Sequence, residues 1–152
     1  MIKFNPFLLL TMSLLLAFCQ KENQSTISPS IELNMKNKIN VKIGNKTFTA
    51  TLADNATSKA FVAQLPLAIN MLELNNNEKY ADLPTTLPTN ASVPSSIQVG
   101  DLMLYGSRTL VLFYKGFSTS YSYTKIGKID DITGLQAALG AGEVKVSFEV
   151  KE

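Results

Sequence analysis

Apolar and polar residues alternate with a period of two near the start of the segment that follows residue 38. The alternation runs through residues 39–43 and returns in residues 47–52, after Gly44-Asn45. Because successive side chains of a β-strand point to opposite faces, this pattern is typical of strands with one buried face. Gly-Asn suits the tight turn between two antiparallel strands. The sequence therefore predicts a β-hairpin here.

Four further segments have strand patterns. Residues 144–150 alternate strictly and predict a last strand with one face in water. Residues 102–105 and 109–114 are continuously apolar or aromatic, which favours central strands in segments this short. The apolar phase of residues 67–74 changes at Met71, which predicts either a β-bulge there or a strand that is covered on both faces.

Two short helices are predicted between the strands. Asn55 or Thr57 can cap a helix that ends before Pro66, since proline cannot continue it. A second helix begins near residues 131–133 and ends at Gly140, a residue that readily adopts the left-handed conformation of helix ends. We expect each helix to close one end of a barrel.

The segment from Tyr80 to Ser96 is predicted to be a long surface loop, because it holds three prolines among threonines, asparagines and serines. Loops of this length are uncommon in small domains unless they are functional or mobile. This loop is therefore the first place to look for a cleft. The alternative is a connection fixed by its prolines and by packing of Leu83 and Leu87 on the barrel.

The first nineteen residues have the pattern of an export signal. Lys3 precedes an apolar run from Phe7 to Phe18, and the only cysteine of the chain, Cys19, follows directly. The run is too short to span a bilayer. Residues 16–19, Leu-Ala-Phe-Cys, are similar to the lipobox of bacterial lipoproteins, with Phe18 at a position where a small residue is usual.

This similarity implies that Cys19 is acylated and that the exported protein is anchored to a membrane of the bacterial cell envelope through its N-terminal lipid. The alternative is an ordinary signal peptide, or an uncleaved anchor with a free thiol. We predict a signal peptide over residues 1–18, a flexible tether over residues 19–37 and one β-barrel domain over residues 38–151.

Composition excludes several classes of function. The chain has 14 lysine and arginine residues against 12 acidic ones, and the basic residues are scattered, so we predict no nucleic-acid partner. It has no histidine, and its one cysteine is expected to carry lipid. Histidine-dependent triads and zinc sites built on histidine or cysteine are therefore excluded. We predict no metal and no cofactor.

A series of short motifs resembles the bacterial cyclophilin-like family, and the phrase LVLFYKGFSTSYSYTKIGKIDD is the most specific of them. The resemblance covers nearly all of residues 39–150. It implies a mainly β fold, a small closed barrel of about eight strands with two short capping helices, in a family whose activity is generally unassigned. The other motifs are Ile43-Gly44, Leu65-Pro66-Leu67, Glu78-Lys79-Tyr80, Leu83-Pro84 and Val99-Gly100-Asp101-Leu102.

The resemblance also raises peptidyl-prolyl isomerase activity, because true cyclophilins share the barrel. Their catalytic arginine is followed five positions later by phenylalanine and three beyond that by glutamine. Here Arg108 is followed by Phe113 but then by Gly116. Residues five apart in a straight strand point to opposite faces, and the chain lacks the histidine and tryptophan of the proline pocket. A divergent isomerase is thus kept as the alternative function.

The aromatic residues that follow the second central strand are the candidate binding residues. Tyr114, Phe117 and Tyr121 lie among serines and threonines, a mixture that suits recognition of a small ligand or peptide. Tyr80, where the predicted loop begins, and Arg108, which can bind a carboxylate or phosphate, complete the set. The alternatives are ring packing in the core and a solvated edge position for Arg108. The predicted function is a non-catalytic binding or accessory module.

Overall fold

The structure, a computed structural model, describes residues 37–152. The predicted signal peptide, the tether up to residue 36 and the predicted lipidation site Cys19 lie outside the described residues.

Eight antiparallel strands form a closed barrel, and two short helices interrupt them. Around the barrel the strands follow the order β1-β2-β7-β5-β6-β4-β3-β8, and β8 pairs again with β1. Closure leaves no free strand edge. The predicted barrel of about eight strands with two helices is confirmed. The elements are β1 (Lys38–Ile43), β2 (Lys46–Leu52), α1 (Ala56–Val62), β3 (Leu67–Leu74), β4 (Glu78–Asp82), β5 (Asp101–Tyr105), β6 (Thr109–Phe113), β7 (Thr124–Ile129), α2 (Leu135–Leu139) and β8 (Val144–Val150).

The predicted hairpin and last strand are confirmed, and they supply much of the barrel core. In the hairpin Ile43 pairs with Lys46, and Gly44 has a φ of 60°, which a glycine adopts without steric cost. Ile39, Val41 and Ile43 of β1 are almost fully buried, and so are Val146 and Phe148 of β8, whereas the residues between them are more exposed. The two-residue period therefore separates core from surface, as expected for strands with one buried face.

The predicted β-bulge near Met71 is wrong. β3 pairs with β8 as far as Met71 and then with β4 from Leu72 onward, without a register shift in either ladder. Leu72 and Leu74 therefore point outward, where they are 42% and 40% exposed. The apolar residues of β3 change from the inward to the outward face after Met71, because the outer surface of the barrel also carries apolar side chains here. A register shift does occur between Leu102 and Met103, where β5 pairs with β7.

Both predicted helices are present, at opposite ends of the barrel. α1 follows β2 and α2 follows β7, and since these two strands are antiparallel neighbours their carboxyl ends lie at opposite ends. The Asn55 side chain caps α1 by accepting a hydrogen bond from the Ser58 amide at 2.8 Å. Phe61 of α1 packs edge-to-face on Phe148, and Gly140 follows α2 with a φ of 61°. In residues 37–152 no helix is long and apolar enough to cross a membrane.

The predicted loop from Tyr80 to Ser96 is wrong in its first three residues, which belong to β4. Beyond them the connection to β5 is fixed to the barrel, as the alternative interpretation proposed. Leu83 and Leu87 are buried in the core, and their amides donate hydrogen bonds to the carbonyls of Arg108 and Ser107. The connection is thus held by backbone hydrogen bonds as well as by apolar packing.

Candidate functional site

A second hydrophobic cluster lies on the outside of the barrel wall, separate from the core. Side chains alternate along β5 and β6, so that four leucines enter the barrel while Met103, Val111 and Phe113 face outward. These outward side chains are buried, together with Ile97 and Tyr123, which come from the segments that cross this face. The part of the wall formed by β5 and β6 is therefore apolar on both sides.

Two isolated backbone bridges hold the crossing segments against this wall. Ile97 exchanges two hydrogen bonds with Phe117, at 2.8 and 3.2 Å, and Ser92 exchanges two with Tyr123, both at 3.0 Å. The segment of residues 117–123 is thereby fixed at both ends. Its side chains have defined positions over the outer wall.

Five aromatic rings form a continuous chain across this surface. Phe113 contacts Phe117 and Tyr123, with ring centroids 5.6 and 5.5 Å apart, in edge-to-face geometry. Tyr105 in turn lies 5.7 Å from Tyr123 and 6.1 Å from Tyr121. Such separations are those of favourable aromatic pairs. The rings support one another and form a rigid apolar surface.

An open cleft of about 640 Å³ lies beside this ring chain, and we call it the outer cleft. Its walls combine aromatic rings with hydroxyl and amide groups. Among residues 37–152, Glu78 is the one charged residue that lines the cleft. The lining residues are Leu74, Asn75, Asn77, Glu78, Tyr80, Tyr105, Thr109, Val111, Phe117, Ser118, Thr119, Ser120, Tyr121 and Tyr123.

Glu78 is buried at the outer cleft without a partner in the part of the chain that the structure describes. It lies on the same face of β4 as Tyr80, is only 7% exposed, and makes no hydrogen bond or ion pair with any residue from 37 to 152. Burial raises the pKa of Glu78, and the negative charge of Glu73 raises it further. The oxygens of Glu78 keep some contact with solvent at the open cleft, but the partial loss of hydration makes its charged form less favourable.

Two neighbouring groups add to the polar character of the outer cleft. Burial raises the pKa of Tyr123 to about 12, with a contribution from the charge of Glu78. The Oδ1 atom of Asn77 is buried and has no hydrogen-bond partner among residues 37–152. The cleft thus holds one fully buried acceptor without a donor, Asn77 Oδ1, beside the Glu78 carboxylate and the Tyr123 phenol.

The structure brings three of the five predicted binding residues together and places the other two elsewhere. Tyr80, Phe117 and Tyr121 line the outer cleft, and Tyr121 is 62% exposed. Arg108 precedes β6, where its Nε donates a hydrogen bond to the Leu83 carbonyl at 2.8 Å. Tyr114 points into the α2 end of the barrel and lines a different cleft, of about 720 Å³.

Tyr114 belongs to a polar cluster at the α2 end whose charged groups are all partnered. The Nζ of Lys79, a fully buried side chain, lies 2.6 Å from Oε2 of Glu73 and donates to the Gly142 carbonyl at 2.7 Å. The Tyr114 hydroxyl donates to Oε1 of Glu73 at 2.8 Å. We interpret this cluster as structural, because it joins β3, β4 and the start of β8 and leaves none of these charged groups free.

The pKa shifts of this cluster agree with its pairing. Burial by itself would raise the pKa of Glu73, but hydrogen bonds from Lys79 and Tyr114 outweigh it, and the pKa lies below its ordinary value. Burial and the hydrogen bond to Glu73 raise the pKa of Tyr114 to about 12. Glu73 is therefore a paired carboxylate, in contrast to Glu78.

Sequence reasoning missed Glu78, Asn77 and Tyr105. Glu78 and Tyr80 are two residues apart, so once β4 is recognised as a strand they must share a face. That strand was not predicted, because its inward side chain is the charged Lys79. In residues 37–152 no group of three or more acidic, cysteine or histidine side chains is placed to hold a metal ion.

The fold and the outer cleft define a small closed antiparallel β-barrel protein with an aromatic cleft on the outside of its wall. The sequence profile of the Cyclophilin-like family matches residues 41–149. The chain therefore belongs to the cyclophilin-like family, and the resemblance found in its sequence motifs is confirmed.

One solved structure supports the same fold. The chain is similar to the solution structure of the hypothetical protein AF2241 from Archaeoglobus fulgidus, with a TM-score of 0.52 and 14% sequence identity. The match covers 78% of this chain and 97% of that one. At this identity the likeness concerns the fold alone. No curated protein matches the chain significantly.

Proposed function

We propose that this cyclophilin-like barrel is a non-catalytic binding module that takes a small molecule, or one side chain of a peptide, in the outer cleft. One observation carries the proposal: a chain of packed rings, the unpartnered Asn77 Oδ1 and the Glu78 carboxylate converge on one open cleft of about 640 Å³. Small-molecule sites are typically clefts of roughly 300 to 1,000 Å³ with apolar walls and a few placed polar groups.

The closed topology favours a compact ligand over an extended peptide. Every strand of the barrel pairs on both sides, so a peptide cannot add to the sheet as a further strand. Recognition would depend on side-chain contacts, and the outer cleft presents these as rings and hydroxyls. We favour binding over catalysis because a chain without histidine lacks the base that most activated nucleophiles use.

A ligand screen with two matched variants tests the proposal. The purified protein is screened by thermal shift and native mass spectrometry, and the affinity of each ligand is then compared in Tyr121→Ala and Val150→Ala. Both positions are exposed, and Val150 lies outside the outer cleft. We expect Tyr121→Ala to weaken binding roughly fivefold to tenfold, since an aromatic contact contributes about 1 kcal/mol. Ligands that bind both variants as tightly as the wild type would contradict the proposal.

We also propose that the module is held at a membrane of the bacterial cell envelope by lipid on Cys19. Support comes from the N-terminal sequence, in which an apolar run of signal-peptide length ends at the only cysteine of the chain. As a flexible chain, the tether predicted over residues 19–37 would have a root-mean-square reach of roughly 20 to 25 Å and would let the barrel clear the lipid headgroups.

A further inference from the structure

We propose that the outer cleft selects an organic cation, an ammonium group on a small molecule or side chain, with Glu78 as its counter-ion and the surrounding tyrosines as its aromatic walls. This inference rests on the proposed function, which requires only that the cleft binds a ligand. It adds the charge of that ligand and the residue that recognises it.

The charge of the residues that line the outer cleft disfavours an anionic ligand. Glu78 is the charged side chain among them, and neither lysine nor arginine lines the outer cleft. Lys79, the neighbour of Glu78 in the chain, is on the other side of the wall and is paired with Glu73. An anionic ligand would therefore meet an uncompensated carboxylate, whereas a cation would neutralise it.

The burial of Glu78 also favours a cationic ligand. Its side chain is 7% exposed and receives no hydrogen bond from any residue of the described chain. Most buried carboxylates in proteins are paired, because a buried charge without its partner is strongly destabilising. An ammonium group would supply the missing charge, and a primary or secondary one would also supply donors. The raised pKa of Glu78 is the consequence expected where such a partner is lacking.

The rings add a second attraction for the same kind of group. Tyr105 stands nearly perpendicular to Tyr121, at an interplanar angle of 87°, and is tilted by 53° from Tyr123. Rings at such angles form concave walls on which a ligand can contact more than one ring. The faces of aromatic rings are negative, and they attract cations most strongly where water is excluded.

The oxygen groups at the site favour an organic cation over a metal ion. Calcium takes six to eight oxygen ligands and commonly more than one carboxylate. The outer cleft offers a single carboxylate, and no metal-holding group of acidic side chains occurs in residues 37–152. Its volume of about 640 Å³ also leaves space for the apolar body that carries an ammonium group.

The test is a pair of ligand series that differ in charge but not in shape. Choline is compared with 3,3-dimethylbutan-1-ol, its neutral carbon analogue, and benzylamine with benzyl alcohol and benzoate. Each compound is titrated to millimolar concentration into the purified protein, and binding is followed by NMR and calorimetry. We expect a cation of either series to bind at least about tenfold more tightly than its uncharged partner, because it gains both the attraction of the ring faces and that of the Glu78 carboxylate.

Two variants assign the effect to Glu78. Glu78→Gln should weaken binding of the cation about tenfold and leave the neutral analogue unchanged. Glu143→Gln removes the same charge at an exposed position outside the outer cleft and should bind both as the wild type does. If Glu78→Gln proves unstable, Tyr121→Ala provides the second test, and it should weaken the cation more than the alcohol.

The outcomes separate this inference from the function on which it rests. Equal affinity for cation and alcohol, tighter binding of benzoate, or an unchanged affinity in Glu78→Gln would each overturn the cation proposal. If the preferred compound still loses affinity in Tyr121→Ala, the outer cleft remains a binding site. Failure of both cations to bind would also overturn the cation proposal, and the ligand screen would then decide on the cleft itself.

Discussion

Glu78 and Lys79 are adjacent in β4 and carry opposite charges, yet they lie on opposite sides of the barrel wall. Lys79 faces inward, where its Nζ is 2.6 Å from Oε2 of Glu73. Glu78 faces outward, beside Tyr80, and has no partner among the residues that the structure describes. The period of two in a strand thus separates a paired charge from an unpaired one. The paired charge stabilises the barrel, and the unpaired one marks the outer cleft.

Replacing Glu78 by glutamine should not destabilise the protein at neutral pH. The amide removes an unpaired buried charge, so we expect the free energy of unfolding to stay the same or rise by roughly 1 kcal/mol. Denaturant unfolding of wild type, Glu78→Gln and the exposed control Glu143→Gln measures this. A loss of more than about 2 kcal/mol would indicate that the carboxylate has a stabilising partner.

The difference between wild type and Glu78→Gln should depend on pH. The pKa of Glu78 is raised in the folded state, so its contribution to stability is fully present below the ordinary glutamate pKa and is lost as pH rises through the folded value. The charge of Glu73 also acts on Glu78, and the charge of Glu78 acts on Tyr114 and Tyr123, but these three groups are present in both proteins. The measurement is the free energy of unfolding of both proteins across the acidic pH range. The assignment would be contradicted if the wild type became more stable relative to Glu78→Gln as the pH rises.

Lys79→Met should be strongly destabilising. It leaves the Glu73 carboxylate, whose side chain is 21% exposed, without its cation, and the Gly142 carbonyl without its donor. We expect a loss of about 3 kcal/mol, the lower end of the cost of breaking a buried pair. Lys42→Met is the matched control, since the pair of Lys42 and Glu149 is exposed and its loss should cost at most about 1 kcal/mol. Similar losses in the two variants would show that burial of the pair is unimportant.

Gly127→Ala should destabilise the contact between β2 and β7. A Cβ at this position would lie 2.6 Å from the Thr51 carbonyl oxygen, so the two strands would have to separate. We expect a loss of roughly 1 to 3 kcal/mol, as for other overpacked sites. Gly142→Ala is the control, because a Cβ there meets no atom within 4 Å. Equal stability of the two variants by thermal unfolding would contradict the close approach of these strands.

Cys19→Ser should abolish lipid attachment. Cells given a labelled fatty acid should incorporate it into the wild-type protein and not into this variant, and the variant should leave the membrane fraction or remain as the longer precursor. Phe18→Ala is a second variant, in which the small residue before the cysteine should increase the fraction of the protein that is processed. Persistent labelling of Cys19→Ser would refute the lipid anchor, with no consequence for the barrel.

The sequence predicts those parts of the fold that depend on neighbouring residues. The hairpin around Gly44-Asn45, the Asn55 cap and the helix end at Gly140 are local, and each is found in the structure. β4 was missed because the buried Lys79 interrupts the apolar pattern, and its partner Glu73 is known only from the fold. The strand over residues 67–74 is present, but the β-bulge predicted near Met71 is wrong because both sides of that wall carry apolar side chains.

The candidate site could be predicted only in part for the same reason. Phe117 and Tyr121 are close in sequence and stand out by composition, and the structure places both at the outer cleft. Glu78 and Tyr105 come from distant strands and reach the cleft through the strand order β5-β6-β4. Arg108 was selected by its charge, and the structure uses it to hold the Leu83 carbonyl.

The central claim, that the outer cleft is the binding site, is tested most directly by mapping a bound ligand onto the barrel. Benzylamine is titrated into the isotope-labelled protein, and backbone amide shifts are followed by two-dimensional NMR. We predict that the largest shifts occur in residues 77–80 and 117–123, and that they shrink in Glu78→Gln. Saturable shifts centred on Tyr114 and α2, with none in those two segments, would contradict the account.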